Sequence, residues 1–411
     1  MDAVLPPPPP PTPLTGLLLT GGGARAAYQV GVLEAIADLR RAAGAQGNPF
    51  AVITGTSAGA INAAALACGS DDFDAAVRRI ADVWQGFRTD QVYRADALGM
   101  LDAMGRMRLL LGLGQLLARW LRMRPRSLLD NSPLAELLQR MVPLERLPEL
   151  MGAGQVQALA VTASSYSSGE HFTFFEWAAP MEPWVRSQRI AVPGRITHEH
   201  LLASSAIPFV FPATALPYRG HTEYFGDGSM RQSAPIAPAI HLGAERVLVV
   251  GAGRLHEPPA DPGPNTLTGY PTLAQIAGHA MSSIFLDALA TDIERLRRIN
   301  QTIALIPAQA RGHTRLRPVD LLVIAPSERI DVIAARHVRA LPGAVRRLFG
   351  VRAGANGTDI KGSALASYLL FDTAFTRELM ALGRSDVLHQ RKEVMAFFGW
   401  PATLTGVPYR K

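Results

Sequence analysis

Short apolar runs, glycine-rich turns and amphipathic helical stretches alternate along the N-terminal half of this chain. Leu14-Thr-Gly-Leu-Leu-Leu19 is a compact apolar run that predicts a buried strand. It breaks at Thr20-Gly21-Gly22-Gly23-Ala24-Arg25. Beyond the break Tyr28, Val32, Leu33, Ile36 and Leu39 share one helical face. A loop over 44–49 leads to a second apolar run, Phe50 to Thr54, which ends in Gly55-Thr-Ser57-Ala-Gly59 and continues as an alanine-rich helix to Cys68. Strand and helix alternate, with a glycine turn after each strand, and this order predicts an α/β fold with a parallel sheet.

The pattern continues with a helix over 71–87, for which Asp71 or Asp72 stands in the capping position. Val156 to Ala163 reads as a further strand, 164–170 as a turn, and His171 to Trp177 alternates like a hairpin partner. Leu201 to Pro212 predicts a small-residue helix terminated by proline. Tyr224-Phe-Gly-Asp227-Gly228-Ser229 is a strand end running into a turn, and Val247 to Val250 is another buried strand. Beyond about residue 270 the pattern is helical over 273–296, 365–382 and 387–398, with one strand-like piece, Asp320 to Ile324. The domain boundaries expected from this are a proline-rich tail over 1–13, an α/β domain over 14–260, and a mostly helical region over 261–411 packed on it. Within the α/β domain, segment 100–126 sets leucines between arginines. Its uncharged run is too short to span a bilayer, so it is a candidate lid or membrane-facing segment as much as an ordinary packing helix.

Composition narrows the classes. The chain has 411 residues, of which 48% are hydrophobic and 7% aromatic, enough for a sizeable buried core. The net charge of +7 is carried almost wholly by arginine, since only Lys361, Lys392 and Lys411 are lysines. A charge this modest argues against a nucleic-acid partner and fits peripheral contact with an anionic lipid surface equally well. Cys68 is the only cysteine, so no intrachain disulfide forms, which suits a reducing cytoplasm. The start, Met1 to Leu5 followed by Pro6 to Pro11, lacks the basic and apolar regions of a signal peptide. Cytoplasmic placement is the expectation, with peripheral contact at the inner face of the membrane as its variant. Oligomeric state leaves no mark in the pattern.

The chemistry centres on Ser57. Gly-x-Ser-x-Gly between a strand and a helix is the nucleophile-elbow arrangement, in which a serine sits on a turn too sharp for bulky neighbours. Gly55 and Gly59 supply the room, and the helix that follows points its free N–H groups at the turn. In a parallel sheet the turns after the first two strands meet at one carboxyl edge. Gly21, Gly22 and Gly23 can therefore offer backbone N–H groups to an oxyanion beside Ser57, with Arg25 adding positive charge. Gly21-x-Gly23-x-x-Ala26 also satisfies a relaxed dinucleotide fingerprint, but no acidic residue ends the second strand to hold a ribose. The ten histidines are scattered, none in a small-residue turn. Asp227 lies between Gly226 and Gly228 after a strand end, where it is either a base that accepts the serine proton directly or a turn-fixing residue.

Together these segments resemble the patatin-like phospholipases. Thr20 to Arg25 followed by Tyr28-Gln-Val-Gly-Val-Leu33 is similar to that family's oxyanion segment. Gly55-Thr-Ser57-Ala-Gly59-Ala60 is similar to its elbow, and Asp227-Gly228 to its Asp-Gly partner. Ala203-Ser-Ser-Ala-Ile-Pro208-Phe-Val-Phe-Pro212 is similar to its helix and proline turn, and all four come in the family's order. Ala26 and Ser229 are small departures. More loosely, Ser367-Tyr-Leu-Leu-Phe-Asp372 resembles the helical extension of a bacterial subgroup. The resemblance implies a three-layer α/β/α fold with a mainly parallel sheet and a largely helical C-terminal extension. It also implies a lipid acyl hydrolase of phospholipase A or lysophospholipase type that uses a Ser57–Asp227 dyad, with Arg25 either positioning a phosphate or supporting the loop, and with no cofactor, no metal and no calcium. The lipid is the expected partner. A Ser-His-Asp hydrolase and a catalytically silent lipid-binding or regulatory module are the rival readings.

Overall fold

The computed structural model describes residues 13–94, 127–179, 181–254, 273–311, 313–314, 316–348 and 363–401. The proline-rich tail up to residue 12 and the whole of segment 100–126 lie outside them. Among the described residues, ten strands make one sheet. They are β1 (Thr15–Leu19), β2 (Val52–Thr56), β3 (Ala158–Ser165), β4 (His171–Trp177), β5 (Val185–Arg186), β6 (Arg189–Pro193), β7 (Thr214–Tyr218), β8 (His221–Asp227), β9 (Arg246–Val250) and β10 (Asp320–Ile324). The order is β10-β9-β1-β2-β3-β4-β6-β5, and β10 to β3 all run parallel. β4 pairs antiparallel with β3, and β8, itself paired with β7, adds to the far end of β3.

The principal helices are α1 (Ala27–Ala42), α2 (Ala58–Ala67), α3 (Phe73–Gln85), α4 (Ser132–Met141), α5 (His198–Ser204), α6 (Leu273–Leu305), α7 (Ile330–His337), α8 (Ser363–Leu369), α9 (Thr373–His389) and α10 (Arg391–Phe398). Strand side chains alternate between two faces, and here both faces are buried, so the strands read as unbroken apolar runs. Leu17, Leu19, Ile53, Leu248 and Val250 join a core that includes α1, α2, α3 and the C-terminal helices. Leu18, Val52, Val247 and Val249 face the other way, onto Leu289, Ile293 and Leu296 of α6. Two cores on the two faces of one sheet make the expected three-layer architecture.

Local chemistry fixes several boundaries. Asp72 caps α3 by accepting from the Ala75 N–H at 2.9 Å, while Asp71 pairs with Arg146. The helix expected over 201–212 is instead α5, which starts earlier, behind Thr197, and ends at Ser204. Thr197 and His200 form a reciprocal capping box at its start, and Pro208 disfavours helical backbone just before it, so 205–212 continues as turns.

The C-terminal region does more than pack on the α/β domain: β10 pairs with β9 and extends the parallel sheet. α9 lies against α1 at a glycine crossing. A Cβ on Gly31 would sit 1.9 Å from the Met380 carbonyl oxygen, and one on Gly383 would sit 2.2 Å from that of Tyr28. Gly31→Ala and Gly383→Ala are each expected to cost about 1–3 kcal/mol, because two backbones must part to admit a methyl group. Chemical denaturation reads this out, and unchanged stability in both variants would mean that the crossing is looser than described.

Candidate active site

β3 is the template on which both halves of the site are laid out. Its Thr162 pairs with Thr56, the last residue of β2, and its next residue, Ala163, pairs with Asp227, the last residue of β8. Ser57 follows Thr56 directly, so Ser57 and Asp227 arrive side by side at the carboxyl edge of the sheet. Ser57 Oγ donates to Asp227 Oδ2 at 2.6 Å, and both residues are buried.

Ser57 has φ 56° and ψ −131°, a conformation that costs a side-chain-bearing residue about 1–3 kcal/mol. Its surroundings enforce it. The Ser57 N–H donates to Ser204 Oγ at 2.8 Å, and the Ser57 carbonyl accepts from Ala60 and Ile61 as α2 begins. A Cβ on Gly59 would lie 2.3 Å from the Leu19 carbonyl oxygen, so the first turn of α2 rests on the end of β1. A Cβ on Gly55 would meet the Gly59 carbonyl oxygen at 2.5 Å from the strand side. This contact, available only without side chains, brings the turn at Gly21 and Gly22 towards Ser57. Gly23 lines the same cavity as Ser57. It has φ 55°, and a Cβ there would lie 2.3 Å from the Tyr368 carbonyl oxygen.

Arg25 packs on the C-terminal side of the glycine loop. Its guanidinium is buried against α8, with Nε donating to Ser367 Oγ at 2.7 Å and the charge 4.1 Å from the centre of the Tyr368 ring. The short 3₁₀ turn over Gly23–Ala26 aims the side chain there, away from Ser57, so Arg25 ties the glycine loop to the C-terminal helices. A buried amide chain braces the loop from behind. Gln29 Nε2 donates to the Thr20 carbonyl at 2.7 Å, Asn62 Nδ2 to Gln29 Oε1 at 3.2 Å, and Trp84 Nε1 to Asn62 Oδ1 at 2.9 Å.

Asp227 is wholly buried, and burial pushes its carboxyl up to about 6, against the hydrogen bonds from Ser57 and Ser229 that favour the ionised form. Oδ1 accepts from the Ser229 N–H at 2.8 Å. A Cβ on Gly228 would sit 2.2 Å from the Thr162 carbonyl oxygen, and the Gly228 N–H donates to the Ser204 carbonyl at 3.0 Å. Ser204 thus holds the serine with its hydroxyl and the aspartate turn with its backbone.

Among the described residues no histidine is hydrogen-bonded to Ser57. His198 bonds the Val142 carbonyl, His200 packs on Phe174 and His241 stacks on Trp184. Burial holds His171, His200 and His241 down at about 4, which keeps them neutral near pH 7. Burial also pushes the Cys68 thiol up to about 12, so it stays unreactive. Among the described residues no three His, Cys, Asp or Glu side chains gather into a metal-binding group.

Beside Ser57 opens a cavity of about 1020 Å³, its mouth included, walled mainly by apolar side chains such as Ile61, Trp84, Leu134, Leu138, Phe211 and Phe371. A strained serine on a buried carboxylate, with an apolar cavity alongside, is equipped for attack on an ester of an apolar acid.

The sequence profile of the family described as patatin-like phospholipase matches residues 17–240. No curated protein sequence matches the chain significantly. Among solved structures, VipD from Legionella pneumophila is similar at 15% identity and a TM-score of 0.29, over 90% of this chain and 67% of that one. The type III effector protein ExoU is similar at 15% identity and a TM-score of 0.27, over 97% and 91%. Full-length ExoU in complex with SpcU, from the type III secretion system of Pseudomonas aeruginosa, gives 16% and 0.25, over 92% and 73%. Likenesses this loose carry no argument about mechanism.

Proposed function

Since this chain belongs to the patatin-like phospholipase family, we propose that it cleaves fatty acyl esters of lipids with Ser57 as nucleophile and Asp227 as its base. The observation that carries the reading is the 2.6 Å bond from Ser57 Oγ to a buried carboxylate at the edge of an apolar cavity. The ionised Asp227 takes the proton as Ser57 Oγ attacks the ester carbonyl. Backbone N–H groups of Gly22 and Gly23, with the N-terminal end of α2, then receive the oxyanion. Collapse expels the alcohol, which takes the proton from Asp227. Water, activated by the same carboxylate, hydrolyses the acyl-enzyme. Each step uses side chains and backbone of the chain alone, without calcium.

The test is fatty acid release from phosphatidylcholine vesicles in a chelator-containing buffer. Release by the wild type and none by Ser57→Ala is the expected result. Vesicle binding without release would favour a silent lipid-binding module instead.

In this reading Arg25 is a positioning residue, because it fixes the glycine loop through Ser367 and Tyr368 rather than touching substrate. Arg25→Ala is expected to lower kcat by about 10- to 100-fold with KM little changed, since a loop displaced by about 1 Å misplaces the oxyanion donors. A rise in KM with kcat intact would instead put Arg25 on the substrate.

A further inference from the structure

The cavity beside Ser57 has a direction. Ala58, Ile61, Ala65 and Cys68 of α2 and its C-terminal flank line it at helical spacing, so it follows the helix from the nucleophile towards the residues after Ala67. α3 runs back alongside. Trp84 bonds Asn62 near the start of α2, while Ala76 packs where a Cβ on Gly69 would sit 2.7 Å away, beyond its end. Two cations stand beyond the C-terminal end of α2. Arg146 Nη1 donates to the Cys68 carbonyl at 3.0 Å, and a Cβ on Gly69 would lie 2.5 Å from Arg79 Nη2. Both arginines line the cavity, and both keep contact with solvent.

The distance from Ser57 to the C-terminal end of α2 follows from helix geometry. Ser57 and Cys68 are separated by a helical rise of roughly 16 Å at about 1.5 Å per residue. A fully extended alkyl chain, built of C–C bonds of about 1.5 Å in a zigzag, advances roughly 1.25 Å per carbon. About 12–14 carbons therefore fit between the serine and the arginines. We propose that the α2 channel is the acyl-chain site of this enzyme and that it measures one straight saturated chain of about 12–14 carbons. Each methylene up to that length leaves water for an apolar wall. Each one beyond it emerges beside two hydrated guanidiniums and contributes nothing further. Ala65 is the specificity-determining position, since its small side chain keeps the channel open two turns past the serine.

This inference rests on the proposed role of Ser57, and the test separates the two. Straight-chain alkyl fluorophosphonates of 4–18 carbons, used below their aggregation limits, are reacted with the full-length protein, and the rate constant of labelling is measured for each. The expected profile rises by up to about four-fold per methylene, then levels at about 12–14 carbons. In Ala65→Trp the break is expected to move to about 9 carbons, because Ala65 lies roughly 12 Å of helical rise from Ser57. Ala65→Leu, a smaller addition, serves if the tryptophan variant does not fold, and should also break earlier than the wild type. Labelling at every length with no dependence on length, a rise that continues to 18 carbons, or an unmoved break in a folded variant would overturn the channel assignment alone. No labelling at any length would overturn the role of Ser57, and the channel assignment with it.

Discussion

Ser57→Ala is expected to reduce ester hydrolysis by about 10⁴-fold or more, because among the described residues Ser57 is the one whose hydroxyl donates to Asp227. The fold should persist, since the side chain lost is small and its one bond goes to a carboxylate that protonates readily at a pKa of about 6. A companion variant isolates the strain. Ser57→Gly removes the same nucleophile but adopts φ 56° without penalty, and should be more stable than Ser57→Ala by about 1 kcal/mol. Hydrolysis rates and denaturation curves of the two variants check both halves. Equal loss of activity with unequal stability is the expected pattern.

Asp227→Asn is expected to lower activity by about 10³- to 10⁴-fold and to stabilise the fold. The sign follows from burial. The folded-state pKa of about 6 lies above the ordinary carboxylate value of 3.8, so the contribution of Asp227 to stability is fully present below about pH 4 and is lost as pH rises through 6. At pH 8 the wild type carries a buried negative charge that asparagine does not, and the variant should be more stable there by on the order of 2 kcal/mol. The amide fits the site: its oxygen can still accept from the Ser229 N–H, and its NH₂ group can donate to Ser57 Oγ. At pH 4 the difference should shrink towards zero. Activity runs the opposite way, because only the ionised carboxylate accepts a proton. In the wild type kcat/KM should rise with pH about a midpoint near 6. The protonation state that stabilises the fold is thus the inactive one.

The sequence made the site's parts legible for a definable reason. Gly55 and Gly59 flank Ser57 because the elbow rests on the end of β1, a local demand that leaves a local pattern. Apolar runs such as Val247 to Val250 marked strands because both faces of the sheet are covered. What joins the parts was hidden. That β3 carries Thr56 and Asp227 on successive residues is a long-range pairing that no spacing encodes. The Ala-Ser-Ser-Ala run stands out as part of a motif, but nothing in it marks Ser204 as the residue whose hydroxyl holds the Ser57 N–H. Gln29 and Asn62 offered a readable signal as amides set in helices otherwise buried, and they bond each other. For Arg25 the sequence left two roles open, positioning a phosphate or supporting the loop, because the partners that bear on the choice, Ser367 and Tyr368, are more than three hundred residues away.

In the proposed mechanism Ser57 is a nucleophile activated by Asp227. Mass spectrometry of the peptide containing Ser57 after exposure of the folded protein to a fluorophosphonate tests it most directly, with wild type and Asp227→Asn compared from pH 5 to 8. Ser57 of the wild type should carry the phosphonyl adduct, at a rate that climbs with pH through about 6, and the variant should label far more slowly at every pH. An unmodified Ser57 in folded wild-type protein, or equal labelling of Asp227→Asn, would contradict it.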